Sequence, residues 1–182
     1  MTEPGPGLER ALALIADVPD FPEPGVVFKD ISPLLADHTA LTAVIEALAQ
    51  AGRDDSGRPV VDKVLGMESR GFILGAPVAL LLGVGFVPVR KAGKLPRATY
   101  AVSYALEYGE ATLEVHQDAL ETGDRVLLVD DVLATGGTAR ATIELVEKSG
   151  ATVRGIAMLM ELGFLHGREA LGDVPTTCLL TV

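Results

Sequence analysis

The sequence predicts an α/β fold with a central, mostly parallel sheet flanked by helices. Three observations carry that expectation. The stretch VLLVDDVLATGGT at 126–138 reads as a strand buried on both faces, then a loop of small residues, then a helix start. Strands expected near 61–66, 84–90, 125–130 and 152–160 alternate with helices near 71–82 and 137–149, the rhythm of βαβ crossovers in a parallel sheet. At 182 residues the chain suits one domain, 1–182, with a substantial core.

The first seven residues, MTEPGPG, carry no apolar pattern and are expected to fray. Leu8 to Val18 reads as a short amphipathic helix. Residues 20–35 are punctuated by proline and show no clear period, as expected of a small hood over a site. Leu41, Val44, Ile45, Leu48 and Ala49 repeat at helical spacing, and GRDDSGRP at 52–59 is a surface loop. The uncharged run GFILGAPVALLLGVGFVPV at 71–89 is long enough to raise a membrane span. Its four glycines and two prolines instead divide it into a core helix over roughly 72–82 and a strand over roughly 84–90. Between 101 and 108 the residues alternate as an extended ribbon, with Val102, Tyr104, Leu106 and Tyr108 on one face and Glu107 on the other. Residues 91–110 are expected to form a flexible loop.

The strand opening at 125 ends at Asp130 on this reading. In the following ATGGT, Gly136 and Gly137 permit positive φ or close approach of a ligand. ARATIELVEKSG then carries a helical period, with Gly150 placed to stop it. A helix start offers unpaired N–H groups and the positive end of the macrodipole, so a phosphate fits there. Asp130 and Asp131 then serve another purpose, because ionised carboxylates accept strong hydrogen bonds from sugar hydroxyls. The string reads as a ribose phosphate site, with Ala134, Thr135, Gly136, Gly137 and Thr138 around the 5′-phosphate. An acidic turn with a good cap would explain the acid pair standing alone; its place after a buried strand makes the functional reading specific. A Walker loop would need lysine where Thr138 follows Gly137, and no GxGxxG occurs.

Two further groups can meet anions. Ser69, Arg70 and the Gly71 backbone stand at another helix N-terminus. RKAGKLPR at 90–97 gathers Arg90, Lys91, Lys94 and Arg97 in a chain whose formal net charge is -10. Either alone is explained by a capped helix or a solvated loop. Together, at adjacent strand ends, they suit a pyrophosphate. The acidic balance argues against nucleic-acid binding, which needs a basic face. The lone Cys178 excludes a disulfide framework, and the opening residues show no export signal, so a cytoplasmic setting fits. His38, His116 and His166 are too scattered to suggest a metal site.

The acid pair and loop resemble the PRPP-binding signature of the type I phosphoribosyltransferases. FPEPGVVFKDISPLL, ESRGFILGAPVALLLGVGFVPVRKAGKLP, SYALEYG and VDDVLATGGT, in that order over about 20–162, resemble the adenine phosphoribosyltransferases more closely. The resemblance implies a type I phosphoribosyltransferase fold with an N-terminal hood and a mobile catalytic loop. It implies a pentosyl transfer joining adenine to PRPP to give AMP and pyrophosphate, in purine salvage. Glu107, with Tyr108 beside it, and Arg70 would be catalytic; Glu68, Ser69, Arg70, Arg90, Lys91 and Lys94 would bind pyrophosphate. Adenine would lie between Phe28 and Leu162, with main-chain groups near Val27 and Lys29 reading its amino edge. Lys29 departs from the arginine that many relatives carry. Mg²⁺ would be held by PRPP and water, with no direct protein ligand. A homodimer with Arg90 reaching across is implied as well, with no membrane partner. The alternatives are a 6-oxopurine phosphoribosyltransferase and a non-catalytic PRPP-sensing regulator, the latter requiring a DNA-binding domain for which this acidic chain has no room.

Overall fold

The computed structural model describes residues 5–105 and 109–182. Its contacts divide the chain into two compact units, residues 1–47 and 48–182.

In the first unit, helix α1 runs Pro6–Leu12 and β1 is Ala16–Pro19. The helix expected over 8–18 therefore stops early, because Pro19 holds the preceding residue extended and the chain turns into a hairpin instead. Pro6 and Gly7, expected to fray, belong to α1, where a proline in the first turn costs no helical hydrogen bond. β1 pairs antiparallel with β2 (Val27–Asp30), setting Val18 opposite Phe28. Helices α2 (Ser32–Ala36) and α3 (His38–Ala49) follow. Asp37 caps α3 by accepting the Ala40 N–H at 2.9 Å. Ala40, Val44 and Ile45 are buried on the face that the apolar period predicts.

The second unit is a seven-stranded sheet in the order β5-β6-β4-β3-β7-β8-β9. β3 (Lys63–Met67), β4 (Gly85–Lys91), β7 (Arg125–Leu133), β8 (Thr152–Glu161) and β9 (Thr176–Thr181) are mutually parallel. Helix α4 (Arg70–Leu82) joins β3 to β4, and α5 (Gly137–Lys148) joins β7 to β8. β5 (Thr99–Ala105) and β6 (Glu110–His116) add an antiparallel edge. Within the segment expected to be a loop at 91–110, Thr99–Ala105 is strand, its alternation satisfied by pairing with β6. The 71–89 run divides into helix and strand as expected, and no helix among the described residues is long and apolar enough to cross a membrane.

The core lies along β3, β7 and β8, where Leu65, Met67, Val126, Leu128, Ile156 and Met158 are buried with Leu145 and Val146 of α5. Two glycines bring α4 down onto this sheet. A methyl at Gly66 would stand 2.7 Å from Gly71 O, and one at Gly71 would stand 2.8 Å from Val129 O and 2.9 Å from Asp130 Oδ1. The start of α4 is thereby pressed against the acid-bearing strand.

Candidate active site

The acid pair lies inside β7, not at its end: the ladder with β8 pairs Asp130 with Met158 and continues to Leu133. Both carboxylates are nearly closed off, Asp130 at 9% and Asp131 at 4% exposure. Burial, reinforced by the Asp131 charge, raises the pKa of Asp130 well above the ordinary carboxylate value. Asp130 Oδ1 accepts the Asp131 N–H at 2.9 Å. Arg70 Nε stands 2.8 Å from Asp131 Oδ2 without an aligned hydrogen bond, so that contact is ionic. A buried acid pair with one cation beside it keeps oxygen lone pairs available for an incoming hydroxyl donor.

Beyond Leu133 the chain turns through Ala134 to Gly136 into α5. Gly136 is the residue before the helix and sits at φ 82°, a left-handed conformation that favours glycine. The Asp130 carboxylate, Met67, Met158 and residues 132–139 line a cleft of about 310 Å³. Ala134, Thr135, Gly136, Gly137 and Thr138, all expected at the phosphate, share this cleft with Asp130. It combines a helix N-terminus, two hydroxyls and a buried carboxylate, an arrangement suited to a phosphorylated polyol.

A second cluster gathers where β3 meets α4 and β4 ends. Glu68 Oε2 accepts from Arg90 Nε at 3.1 Å and from the Lys91 N–H at 2.9 Å, while its other oxygen pairs with Lys94 Nζ. Burial alone would raise this carboxyl, but Lys94, the Lys91 N–H and Arg90 together hold it down to about 2. Arg90 also lies over the Phe72 ring, 5.7 Å from its centroid. Ser69 precedes α4 and makes no side-chain cap bond. Glu68, Ser69, Arg70, Arg90, Lys91 and Lys94 are therefore organised around β3, α4 and β4. Arg97 lies apart, paired with Asp118.

In the first unit, Val27 is exposed and Lys29 Nζ is bound to Asp17 Oδ1 at 2.6 Å. Phe28 meets Phe21 edge-on at 5.2 Å, and Val18, Phe21, Phe28 and Asp30 line an apolar hollow of about 450 Å³. Leu162 belongs to the second unit, just past β8, its N–H donating to Leu133 O at 2.9 Å. Glu107 and Tyr108 lie outside the described residues. Burial pushes the Cys178 thiol up to about 12, leaving it a packing residue.

The phosphoribosyl transferase domain family matches residues 31–173. An adenine phosphoribosyltransferase of Nocardioides sp. is 82% identical over the full length of both chains. The chain belongs to the adenine phosphoribosyltransferase family. The adenine phosphoribosyltransferase structure from Rhodothermus marinus is 53% identical and superposes with a TM-score of 0.89, over 97% of this chain and 98% of that one. The Saccharomyces cerevisiae enzyme, complexed with D-2,5-dideoxy-2,5-imino-altritol 1,6-bisphosphate and adenine, is 38% identical with a TM-score of 0.90, over 96% and 98%. The mostly parallel seven-stranded sheet is the type I phosphoribosyltransferase fold.

Membership of that family leaves three residues that sequence reasoning did not single out. Gly167 presses on the turn before α5: a methyl there would stand 2.1 Å from Ala134 O. Arg168 fixes the same segment, its Nε donating to the buried Glu161 at 2.7 Å and its Nη1 to Thr176 O at 2.9 Å. Tyr104 shares a 3.0 Å hydroxyl–hydroxyl bond with Thr138. The run ELGFLHGR at 161–168 holds two glycines between a charged pair, Glu161 and Arg168, which was the available signal for the first two.

Proposed function

We propose that the chain forms AMP and pyrophosphate from adenine and PRPP in purine salvage. The observation that carries this is the buried Asp130 lining the same cleft as the Gly136–Gly137 turn at the start of α5, with the buried Asp131 carboxylate beside Arg70. Asp130 and Asp131 accept the ribose hydroxyls. Thr135, Thr138 and the loop N–H groups around Ala134, Gly136 and Gly137 donate to the 5′-phosphate. The two grips fix the sugar with C1′ free to react.

Pyrophosphate leaves toward Ser69, Arg70, Arg90, Lys91 and Lys94, whose charge stabilises the electron pair it takes from C1′. Glu68 acts in this scheme by holding Arg90 and Lys94 in place, since a carboxylate facing pyrophosphate directly would repel it. The adenine ring nitrogen supplies the new bond to C1′, and Glu107, with Tyr108 next to it, receives the purine proton. Phe28 and Leu162 hold the base, and main-chain groups at Val27 and Lys29 read its amino edge. A 6-oxopurine would leave those groups unpaired, at about 1 to 3 kcal/mol each. Asp130 and Asp131 are hard oxygen donors, a set that fits Mg²⁺ reached through the ribose hydroxyls and water. That ion, bound with PRPP, supplies neutralisation of the pyrophosphate charge.

The same reading includes a homodimer in a reducing, cytoplasmic compartment. Within its own chain Arg90 is engaged by Glu68 and Phe72, so a reach across the dimer would start from that anchored position. Light scattering after gel filtration tests the assembly.

The deciding experiment supplies PRPP and Mg²⁺ with adenine, hypoxanthine, guanine, xanthine or orotate and measures nucleotide formed. AMP from adenine is expected. Product from hypoxanthine and none from adenine would overturn the acceptor. Glu107→Ala is expected to lower turnover far more than PRPP binding, and unchanged turnover would remove Glu107 from the mechanism.

A further inference from the structure

We infer that Tyr104 is a positioning residue for the 5′-phosphate subsite, acting through the Thr138 hydroxyl; the inference rests on the ribose phosphate reading of that cleft. Tyr104 lies on β5, near the edge of the sheet, opposite Ala111 of β6. Its hydroxyl is 3.0 Å from Thr138 Oγ1, and in this arrangement either atom can donate. Its ring lies close against the start of α5: a methyl on Gly137 would stand 3.0 Å from Tyr104 Cδ2. Lys148 of α5 donates to Ala101 O of the same strand at 2.9 Å. β5 is thus fixed to α5 at both ends of the helix, and Tyr104 is the fixture at the phosphate end.

Hydroxyl chemistry sets the direction. Thr138 has one proton to give and two lone pairs to receive with, whereas a phosphate dianion only accepts. When Thr138 donates to the phosphate, Tyr104 must be the donor to Thr138. The result is a chain from Tyr104 through Thr138 to phosphate, in which each bond polarises the next. Tyr104 also selects the Thr138 rotamer that points its proton into the cleft, removing a rotor that the ligand would otherwise have to order. Thr142 Oγ1 donates to the Thr138 carbonyl at 2.8 Å, so the backbone at this position is held independently of Tyr104. That separation makes the side-chain role testable.

The experiment measures dissociation constants by calorimetry for AMP, ribose 5-phosphate and adenosine, using the wild-type chain, Tyr104→Phe, Thr138→Val and the double variant. Thermal melts confirm that each is folded. Tyr104→Phe is expected to weaken AMP and ribose 5-phosphate by about three- to tenfold, the loss of one ordinary hydrogen bond, and to leave adenosine within about twofold. In the Thr138→Val background the same change is expected to cost less than about twofold, since the intermediary is gone. Thr138→Ser keeps the hydroxyl and should restore the sensitivity to Tyr104→Phe. Equal weakening of adenosine and AMP, or additive effects in the double variant, would overturn the inference while leaving the cleft assignment standing. Unchanged ribose 5-phosphate affinity in Thr138→Val would instead remove the phosphate from this cleft, and both readings with it.

Discussion

The backbones of Gly136 and Gly167 are in contact: a methyl on Gly136 would stand 2.4 Å from Gly167 O, and one on Gly167 would stand 3.1 Å from Gly136 N. The turn that precedes α5 is therefore shaped from outside by a segment some thirty residues later in the chain. Because no side chain fits between them, Gly167→Ala must push the loop out of place. An overpacked site of this kind typically costs about 1 to 3 kcal/mol. The expected outcome is a lower melting temperature together with a raised KM for PRPP, while adenine affinity changes little. A variant that melts lower yet binds PRPP normally would show that Gly167 supports the fold and not the loop.

Asp130 is held in a state that stability alone would not choose. Its pKa is raised in the folded chain, so the unfolded chain gives up this proton more readily. Stability is consequently lost as pH rises from the ordinary aspartate value through the raised one. Asp130→Asn removes the ionising group and keeps an oxygen for the Asp131 N–H. The variant is expected to melt higher than wild type at pH 7, with the gain vanishing as pH falls to about 3.8 and below. PRPP binding is expected to fall by about 1.5 to 3 kcal/mol, the worth of a hydrogen bond to a charged group. Calorimetric melts across pH decide it: a gain at pH 7 that persists undiminished in acid would rule out the burial of charge as its cause.

What the sequence discloses follows from how local each feature is. The β7–loop–α5 unit was legible because an apolar strand, two glycines and a helical period sit side by side in the chain; Asp130 and residues 134–138 line one cleft, whereas Asp131 stands against Arg70. Its strand was read too short, since aspartates seldom continue a buried ladder and only pairing with β8 shows that these do. The β1–β2 hairpin was hidden because each strand is four residues long, too short for a period to declare itself. Tyr104 could not be placed at the loop, and Gly167 only marked itself as a glycine of ELGFLHGR, because contact between distant segments leaves no trace in spacing. Glu68 was expected at the pyrophosphate from the family resemblance; the geometry shows its carboxylate engaged by Arg90, Lys94 and the Lys91 N–H.

Glu68 also yields a pH signature. Its folded value of about 2 lies below its ordinary 4.5, so the stability it contributes is complete above about 4.5 and is lost as pH falls toward 2. Glu68→Gln should melt lower than wild type at neutral pH, by about 2 to 4 °C for each kcal/mol lost in a chain of this size. The gap should close progressively between pH 4.5 and 2. Melting curves of the two proteins across that window provide the check, and a gap that stays constant to pH 2 would mean that the carboxylate charge is not what organises the cluster.

The opposite ends of the same strands carry charge for a different purpose. Lys63, opening β3, pairs with Asp124 at 2.7 Å, and Arg125, opening β7, grips Asp62 through Nε at 3.0 Å and Nη2 at 2.9 Å. Arg125, by its side chain and then its backbone N–H, lowers Asp62 to about 2, so these carboxylates are engaged by donors from the neighbouring strand. Ligands in parallel sheets gather at the carboxyl ends of the strands, and here the amino ends are closed by ion pairs that lock β3 to β7. Asp124→Asn should therefore lower the melting temperature and leave KM for both PRPP and adenine as in wild type. Steady-state kinetics well below the melting temperature make the comparison. A raised KM for PRPP would mean that strain at Lys63 and Arg125 travels the length of β3 and β7 to Glu68 and Asp130, and the two ends of the sheet could no longer be treated as independent.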